Sequence, residues 1–448
     1  MQSSNLRYIV LISLVAAFGG FLFGYDTAVV SGAIGFLREH FQLSADLTGW
    51  AASSVLVGCM FGAMFGGPMG DRIGRKLSLI LCAALFFLSS IASAMPATLG
   101  AFAWARFFGG LAIGAASILS PIYIAEIAPE KLRGRLVTLY QLAIVVGILA
   151  VFFINLQIQR LGDHGWNVTT GWRWMFASLA LPSVLFAGFM AMVPESPRWL
   201  MKVGRREEAR VILERLGGPE NAAREFAGID AALGEEVGGW GELFHGGYGR
   251  ALLVGSLLAI FSQLSGINAI MYYGPEVFKA AGAGQDAAFV QTLTVGFMNV
   301  AFTFVAIGFV DRAGRKPLLL IGTSVQVVAH MLVGWCFMTG RKDSLLLVGI
   351  LVFVAAFAMA MGPVSWIVNS EIFPTKLRGR AMAVSIFLLW VACYLVSQTF
   401  PMLLEAIGPA KTFWVYGGFS LVSVFFVLFM VPETKGRTLE EIQASWKR

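Results

Sequence analysis

Apolar residues are laid along the chain in blocks about as long as a bilayer is thick, divided by short polar stretches. A hydrocarbon core about 30 Å thick is crossed by roughly 20 residues of helix. Twelve segments fit that template, at 8–32, 47–70, 77–96, 99–122, 134–156, 172–193, 250–275, 289–311, 317–338, 344–368, 380–403 and 411–431. The pattern predicts an all-α polytopic membrane protein with twelve transmembrane helices, numbered span 1 to span 12 in chain order. The first block begins near Tyr8 and runs through Phe23 without an A-x-A cleavage site, so it is read as a spanning helix rather than a removable signal. The one sizeable polar segment, about 198–248, mixes charges at helical spacing (Arg205, Arg206, Glu207, Glu208, Arg210, Glu214, Arg215). It is expected to be a solvated helical linker between two six-helix halves, with a docking or gate-bracing role as the sharper alternative.

Composition excludes a soluble protein. Of 448 residues, 57% are hydrophobic and 13% charged, with a mean hydropathy of +0.75. Soluble domains are about 25% charged. The net charge of +7 would suggest nucleic acid only if the 33 Lys and Arg clustered on a soluble face, and instead they sort by side. Twenty-five lie in the N-terminus, the 2–3, 4–5, 6–7, 8–9 and 10–11 connections and the C-terminus. Seven lie on the other side (Arg38, Arg160, Arg173, Lys279, Arg341, Lys342, Lys411), and Arg106 lies within a span. Basic residues accumulate on the cytoplasmic side, so both termini are expected in the cytoplasm, with the chain in the cell membrane, lipid around it and no nucleic-acid partner. Cys59, Cys82, Cys336 and Cys393 all fall in apolar blocks without metal-ligand spacing and read as small buried hydrophobes.

Three motif pairs recur in order. Asp71-Arg72-Ile73-Gly74-Arg75-Lys76 returns as Asp311-Arg312-Ala313-Gly314-Arg315-Lys316, Glu126 through Leu132-Arg133-Gly134-Arg135 returns as Glu371 through Leu377-Arg378-Gly379-Arg380, and Pro194-Glu195-Ser196 returns as Pro432-Glu433-Thr434. Each pair follows the second, fourth or sixth span of its half, which makes the halves parallel repeats about an axis along the membrane normal. Transporters of that build hold substrate near the midplane between halves and rock one against the other. The expected division is an N-terminal bundle at 1–197, the linker at 198–248, a C-terminal bundle at 249–431 and a tail at 432–448.

GDRIGRK at 70–76 resembles the loop motif of the major facilitator superfamily. PIYIAEIAPEKLRGR at 121–135, PESPRWL at 194–200, QLSGINAIMYY at 263–273 and PETKGRTLEEI at 432–442 are similar to segments of the sugar porter family within it, which includes glucose facilitators and bacterial proton–sugar symporters. The resemblance covers essentially the whole chain. It implies two pseudo-symmetric six-helix bundles with a cytoplasmic helical linker.

The repeated motifs put Arg75, Glu126, Arg133 and Glu195 in the first half, and Arg315, Glu371, Arg378 and Glu433 in the second, at helix ends where the halves could meet. Charge-assisted bonds among them would latch the cytoplasmic side and break to open it, and the resemblance implies the same. The plainer alternative is incidental pairing of positive-inside residues, since exposed pairs contribute only about 0–1 kcal/mol.

Within the spans of the first half, charge stands at Asp26 on span 1 and Arg106 on span 4. A charge at the centre of a span costs about 2.5–3.5 kcal/mol on insertion scales and marks a functional site by default. Each lies roughly seven positions from the outer end of its helix, so both sit about 10 Å deep and can pair. Asp26 beside Arg106 stays ionised, and losing that partner in a low-dielectric cavity favours its protonated form. A clamp-and-release cycle would load and unload a proton; a static structural ion pair is the alternative. The resemblance implies proton coupling, because proton-coupled sugar porters look like this chain at Asp26.

A sugar presents hydroxyl rims and an apolar ring face, so its site calls for amides and an aromatic plate. Gln141, Gln263, Asn268, Asn299, Trp366 and Trp390 supply these within spans. Gln263 and Asn268 address one cavity only if span 7 is locally broken, which Gly266 and Gly274-Pro275 permit. Interhelical hydrogen bonds for the amides, and packing for the tryptophans, are the alternatives. The residues resembling the family's sugar ligands are Phe23, Gln141, Gln263, Asn268, Tyr272, Asn299, Trp366 and Trp390. Ser262, Leu389 and Cys393 stand where many relatives carry amides, which points away from a hexose toward a pentose or polyol.

The sequon at Asn167 is a chance-prone pattern, and His330 reads as a lone bundle residue. There is no P-loop, no H-E-x-x-H and no G-x-S-x-G. The expectation is a monomeric alternating-access transporter of a monosaccharide (hexose, pentose or polyol) coupled to protons, not an enzyme, with no cofactor and no metal. A uniporter with a structural Asp26 is the neighbouring reading. A non-transporting sugar receptor is the remote one, because only about seventeen residues follow span 12.

Overall fold

A computed structural model of the chain describes residues 3–129, 132–233, 241–244, 248–341, 344–373 and 377–436. The described residues are almost entirely helical. Spans 1 to 6 are Ser3–Phe41, Ala45–Ile73, Arg75–Ala94, Leu99–Ile127, Arg133–Gln159 and His164–Met192. Three short helices follow, Pro197–Lys202, Arg206–Gly217 and Pro219–Leu233. Span 7 is Tyr248–Leu264 and Ile267–Ala280, span 8 is Gln285–Ala313, span 9 is Arg315–Met338, and span 10 is Ser344–Met359 and Met361–Glu371. Spans 11 and 12 form one run, Arg378–Met430, interrupted at Gly408. Large apolar side chains such as Phe65, Leu88, Trp104, Val328 and Phe429 face outward, where lipid can cover them.

Boundaries differ from the sequence expectation where polar groups cap or extend a helix. Span 6 begins at His164 rather than 172. The Asp163 carboxylate accepts from the Trp166 backbone N–H at 2.7 Å, and a π-helical segment, Asn167–Gly171, carries the chain into the span. Asn167 of the sequon is fully buried, its amide donating to the carbonyls of Gln159, Gly162 and Asp163. Between spans 11 and 12 the expected loop shrinks to one glycine in a positive-φ conformation (φ 77°), after which Pro409 starts the next helix.

Small residues let the spans of the first half approach backbone to backbone. A Cβ at Gly58, Gly62, Gly110 or Gly114 would strike the facing backbone between spans 2 and 4, and Gly24 and Gly147 do the same between spans 1 and 5. Without a hydrophobic driving force between helices in lipid, such close packing supplies much of the attraction.

The contacts described between the first six spans and the last six lie from mid-bundle to one face. Phe23 of span 1 meets Trp390 of span 11 with ring centroids 5.5 Å apart. Gln398 of span 11 binds Ser53 Oγ at 2.8 Å and donates to the Asp46 carbonyl at 2.9 Å. Arg160 pairs with Asp286 at 2.6 Å, and His164 bridges Glu39 and Gln285 at 2.7 and 3.0 Å. This face is called the opposite face; the one bearing Arg75, Arg133, Arg315 and Arg378 is the basic face. The first of the short helices docks there, Trp199 Nε1 donating to the Asp71 carbonyl at 2.9 Å and Lys202 pairing with Asp71 at 2.9 Å. Residues 437–448, most of the expected tail, and 234–240 and 245–247 of the expected linker lie outside the described residues.

Candidate functional site

Arg106 reaches across from span 4 to span 1, where Nη1 pairs with Asp26 Oδ1 and Nη2 donates to the Asp26 carbonyl at 2.8 Å. Both side chains are essentially inaccessible, at 1% and 0% exposure. The guanidinium also lies over the Phe176 ring, 5.2 Å from its centroid. Asp26 Oδ2 has no hydrogen-bond partner among the described residues. A Cβ at Gly109 would press to 3.1 Å from that oxygen, so glycine leaves the carboxylate its space. An ionised carboxylate with one unsatisfied oxygen in an apolar bundle is expensive unless its charge is neutralised. Two groups can do that here, Arg106 or a proton.

Span 7 breaks at Gly266, which sits in the left-handed region at φ 83°, and kinks again at Tyr273 just before Gly274-Pro275. The break frees the Ser265 carbonyl, and His330 Nε2 of span 9 donates to it at 2.9 Å. That is what the lone imidazole does: it satisfies a backbone group that the unwound turn leaves over. The turn brings the predicted amides together. Asn268 Nδ2 donates to Gln263 Oε1 at 2.5 Å and lies 3.1 Å from Cys393 Sγ, while Gln263 Nε2 donates to Ser262 Oγ at 3.0 Å. The Tyr272 hydroxyl is 3.8 Å from the same sulfur. Trp390 lies one turn before Cys393 on span 11, its ring against Phe23 and its Nε1 without a partner among the described residues.

Phe23, Gln263, Asn268, Tyr272 and Trp390 are thus gathered around the junction of spans 1, 7 and 11. Gln141 is half-buried on span 5, Asn299 is 6% exposed on span 8, and Trp366 is half-buried on span 10. None of these three shares a described side-chain hydrogen bond with the cluster. Cys393 is buried, as its apolar block implied, and stands at the edge of the cluster one helical turn beyond Trp390, where the resemblance put a replaced amide. Span 1 joins the two parts of the site: Phe23 and Asp26 are three residues apart, about 4.5 Å of helical rise.

On the basic face the repeated motifs have repeated geometry. Gly74 (φ 93°) and Gly314 (φ 92°) end spans 2 and 8 in a conformation that only glycine adopts cheaply. A remote carboxylate then caps the next helix. Glu195 accepts from the backbone N–H groups of Arg75 and Lys76 at 3.0 and 3.1 Å, and Glu433 from those of Arg315 and Lys316 at 3.1 and 3.0 Å. Partial burial pushes the Glu433 carboxyl up, but the N–H groups of Lys435, Arg315, Lys316 and Thr434 together hold it below the usual carboxylate range. Arg75 binds Glu126 through two nitrogens at 3.0 Å each, and Arg315 binds Glu371 at 2.9 Å. Arg133 and Arg378 donate to carbonyls at the ends of spans 4 and 10, Ala125 at 3.0 Å and Phe373 at 3.4 Å. All of these contacts join groups within one half.

Amides gathered at a broken helix inside a bundle of apolar spans are what a multi-pass membrane transporter uses to hold a polar solute. The family model described as "Sugar (and other) transporter" matches residues 12–446. The arabinose-proton symporter of Bacillus subtilis (strain 168) is 43% identical over 99% of this chain and 96% of its own length. The D-xylose-proton symporter of Escherichia coli (strain K12) is 41% identical over the same shares. Among solved structures, the inward-open xylose transporter XylE of E. coli superimposes with a TM-score of 0.88 at 40% identity, covering 98% of this chain and 100% of that one. The proton:xylose symporter XylE bound to 6-bromo-6-deoxy-D-glucose gives 0.84 at 41% identity, covering 99% and 100%. The chain belongs to the sugar transporter family of the major facilitator superfamily.

Proposed function

We propose that the protein is a proton–sugar symporter that carries a pentose-class monosaccharide by alternating access. The observation that carries this reading is the fully buried Asp26–Arg106 pair, in which one carboxylate oxygen has no partner among the described residues. While Arg106 holds Asp26, the carboxylate keeps its charge. When span 4 draws Arg106 away, Asp26 takes a proton instead, because an unpaired charge in that setting is too costly. Sugar binding between spans 1, 7 and 11 moves Phe23, and span 1 passes that movement to Asp26.

The relatives named for arabinose and xylose support a pentose, as does a site in which Cys393 and Leu389 replace amides. The basic face is assigned to the cytoplasm from the distribution of Lys and Arg, with both termini there. The two six-span bundles act as rocking bodies, 1–197 and 249–431, joined by the linker at 198–248 and followed by the tail at 432–448. The chain works as a monomer in lipid. Arg75, Glu126, Arg133, Glu195, Arg315, Glu371, Arg378 and Glu433 serve as the cytoplasmic gate. In the inward-open state they retire to partners within each half, and they exchange partners across the halves when that side closes. The function is transport, not catalysis.

Counterflow in proteoliposomes with a panel of pentoses, hexoses and polyols, run with and without an imposed pH gradient, tests the reading. Pentoses should compete best, and an inward proton gradient should drive net accumulation. Accumulation that ignores the gradient would make the protein a uniporter.

A further inference from the structure

A small cleft opens between spans 7, 10 and 11, on the basic-face side of the amide cluster, lined in part by Ala259, Trp366, Asn369, Ser385 and Ile386. Asn369 Oδ1 and Ser385 Oγ are buried there, with their residues 6% and 1% exposed, and neither atom has a hydrogen-bond partner among the described residues. Span 7 makes way for the amide: a Cβ at Gly255 would collide with Asn369 Oδ1. Buried polar atoms are normally paired, so two orphans, Asn369 Oδ1 and Ser385 Oγ, lining one cleft mark a place where something else binds. The room beside them suits one water-sized group, which excludes a whole ring but admits a hydroxyl. Trp366 adds an aromatic plate at its rim. Helical rise sets Asn369 about 4.5 Å beyond Trp366, and Ser385 about 7.5 Å beyond Trp390, both toward the basic face.

We propose that this notch is an exit subsite, in which Asn369 and Ser385 take one hydroxyl of the sugar while its ring lies against Trp366, between the central cluster and the basic face. The proposal rests on the central cluster being the sugar site. It gives the departing sugar a second set of polar partners, so that it does not lose all its hydrogen bonds at once. It also gives the two faces of the transporter unequal apparent affinities.

Transport is measured from each face separately, in right-side-out and inside-out vesicles carrying the full chain, with D-xylose and L-arabinose as probes. Ser385→Ala and Asn369→Ala should each raise the half-saturating concentration at the basic face about three- to tenfold, the scale of one lost hydrogen bond. The value at the opposite face should stay near wild type, and Ser385→Thr, which keeps the hydroxyl, should restore the basic-face value. Gln263→Ala should weaken both faces. If Gln263→Ala does so but Ser385→Ala shifts both faces equally or neither, the notch is no subsite and holds at most a structural water. If Gln263→Ala shifts neither face, the central site itself is misassigned.

Discussion

The two halves of the molecule share their charged connections nearly group for group and diverge at their centres. On the basic face each half has a positive-φ glycine, a carboxylate capping the following helix, an Arg–Glu pair and an arginine on a carbonyl at a helix end. At the centre, the first half packs spans 1, 2, 4 and 5, each one unbroken helix, on glycine contacts around a buried charge pair. The second half breaks spans 7 and 10, at Gly266 and at Ala360, and presents amides, hydroxyls and a thiol. The framework at the connections is therefore common to both halves. Under the proposed function, the differing centres divide the work between proton and sugar.

The largest effect should come from breaking the first half's centre. Arg106→Leu leaves a buried, unpaired carboxylate and should cost about 3–5 kcal/mol, with Asp26→Asn added to it recovering part of the loss. Thermal unfolding of the purified protein checks this. His330→Leu in the second half, which removes one neutral hydrogen bond, should cost only about 1 kcal/mol. Equal losses would erase the contrast between the centres.

The shared framework predicts matched effects. Gly74→Ala and Gly314→Ala should each lower stability by about 1–3 kcal/mol, because both force a side chain into a glycine-only backbone region. Gly67→Ala, where a Cβ meets nothing, serves as the control. Markedly unequal losses would mean that the two connections are alike in sequence but not in strain.

Asn268→Ala should raise the half-saturating sugar concentration about tenfold, as one hydrogen bond to a polar solute is lost, while leaving proton coupling per sugar unchanged. Smallest is the effect of Gln398→Ala, which unties spans 2 and 11 at the opposite face. It should cost about 0.5–1 kcal/mol and show as faster labelling of a cysteine placed at Ser53. Unchanged labelling would remove Gln398 from the opposite-face closure.

The spans were legible because lipid imposes one simple rule of length and polarity, and because the repeat fixes their pairing. The pairing of Asp26 with Arg106 followed from equal depth. The break at Gly266 followed from the need to aim Gln263 and Asn268 into one cavity. Less visible was the break at Ala360, where the run around it is as apolar as any other span. The capping of spans 3 and 9 by Glu195 and Glu433 was hidden too, because each carboxylate lies more than a hundred residues from the N–H groups that it serves. Cys393 is the small buried residue that its apolar block implied, and its sulfur contacts with Asn268 and Tyr272 were hidden because they depend on how spans 7 and 11 pack. The unpartnered atoms of Asn369 and Ser385 emerge only when three helices are seen side by side.

The central claim is that one carboxylate couples sugar to protons, and sugar-induced proton uptake tests it most directly. External pH is recorded as a pentose is added to lightly buffered vesicles with no imposed gradient. The wild-type protein should alkalinise the medium as sugar enters, and Asp26→Asn should abolish that signal while sugar exchange continues. A wild-type signal of undiminished size in Asp26→Asn would contradict the account.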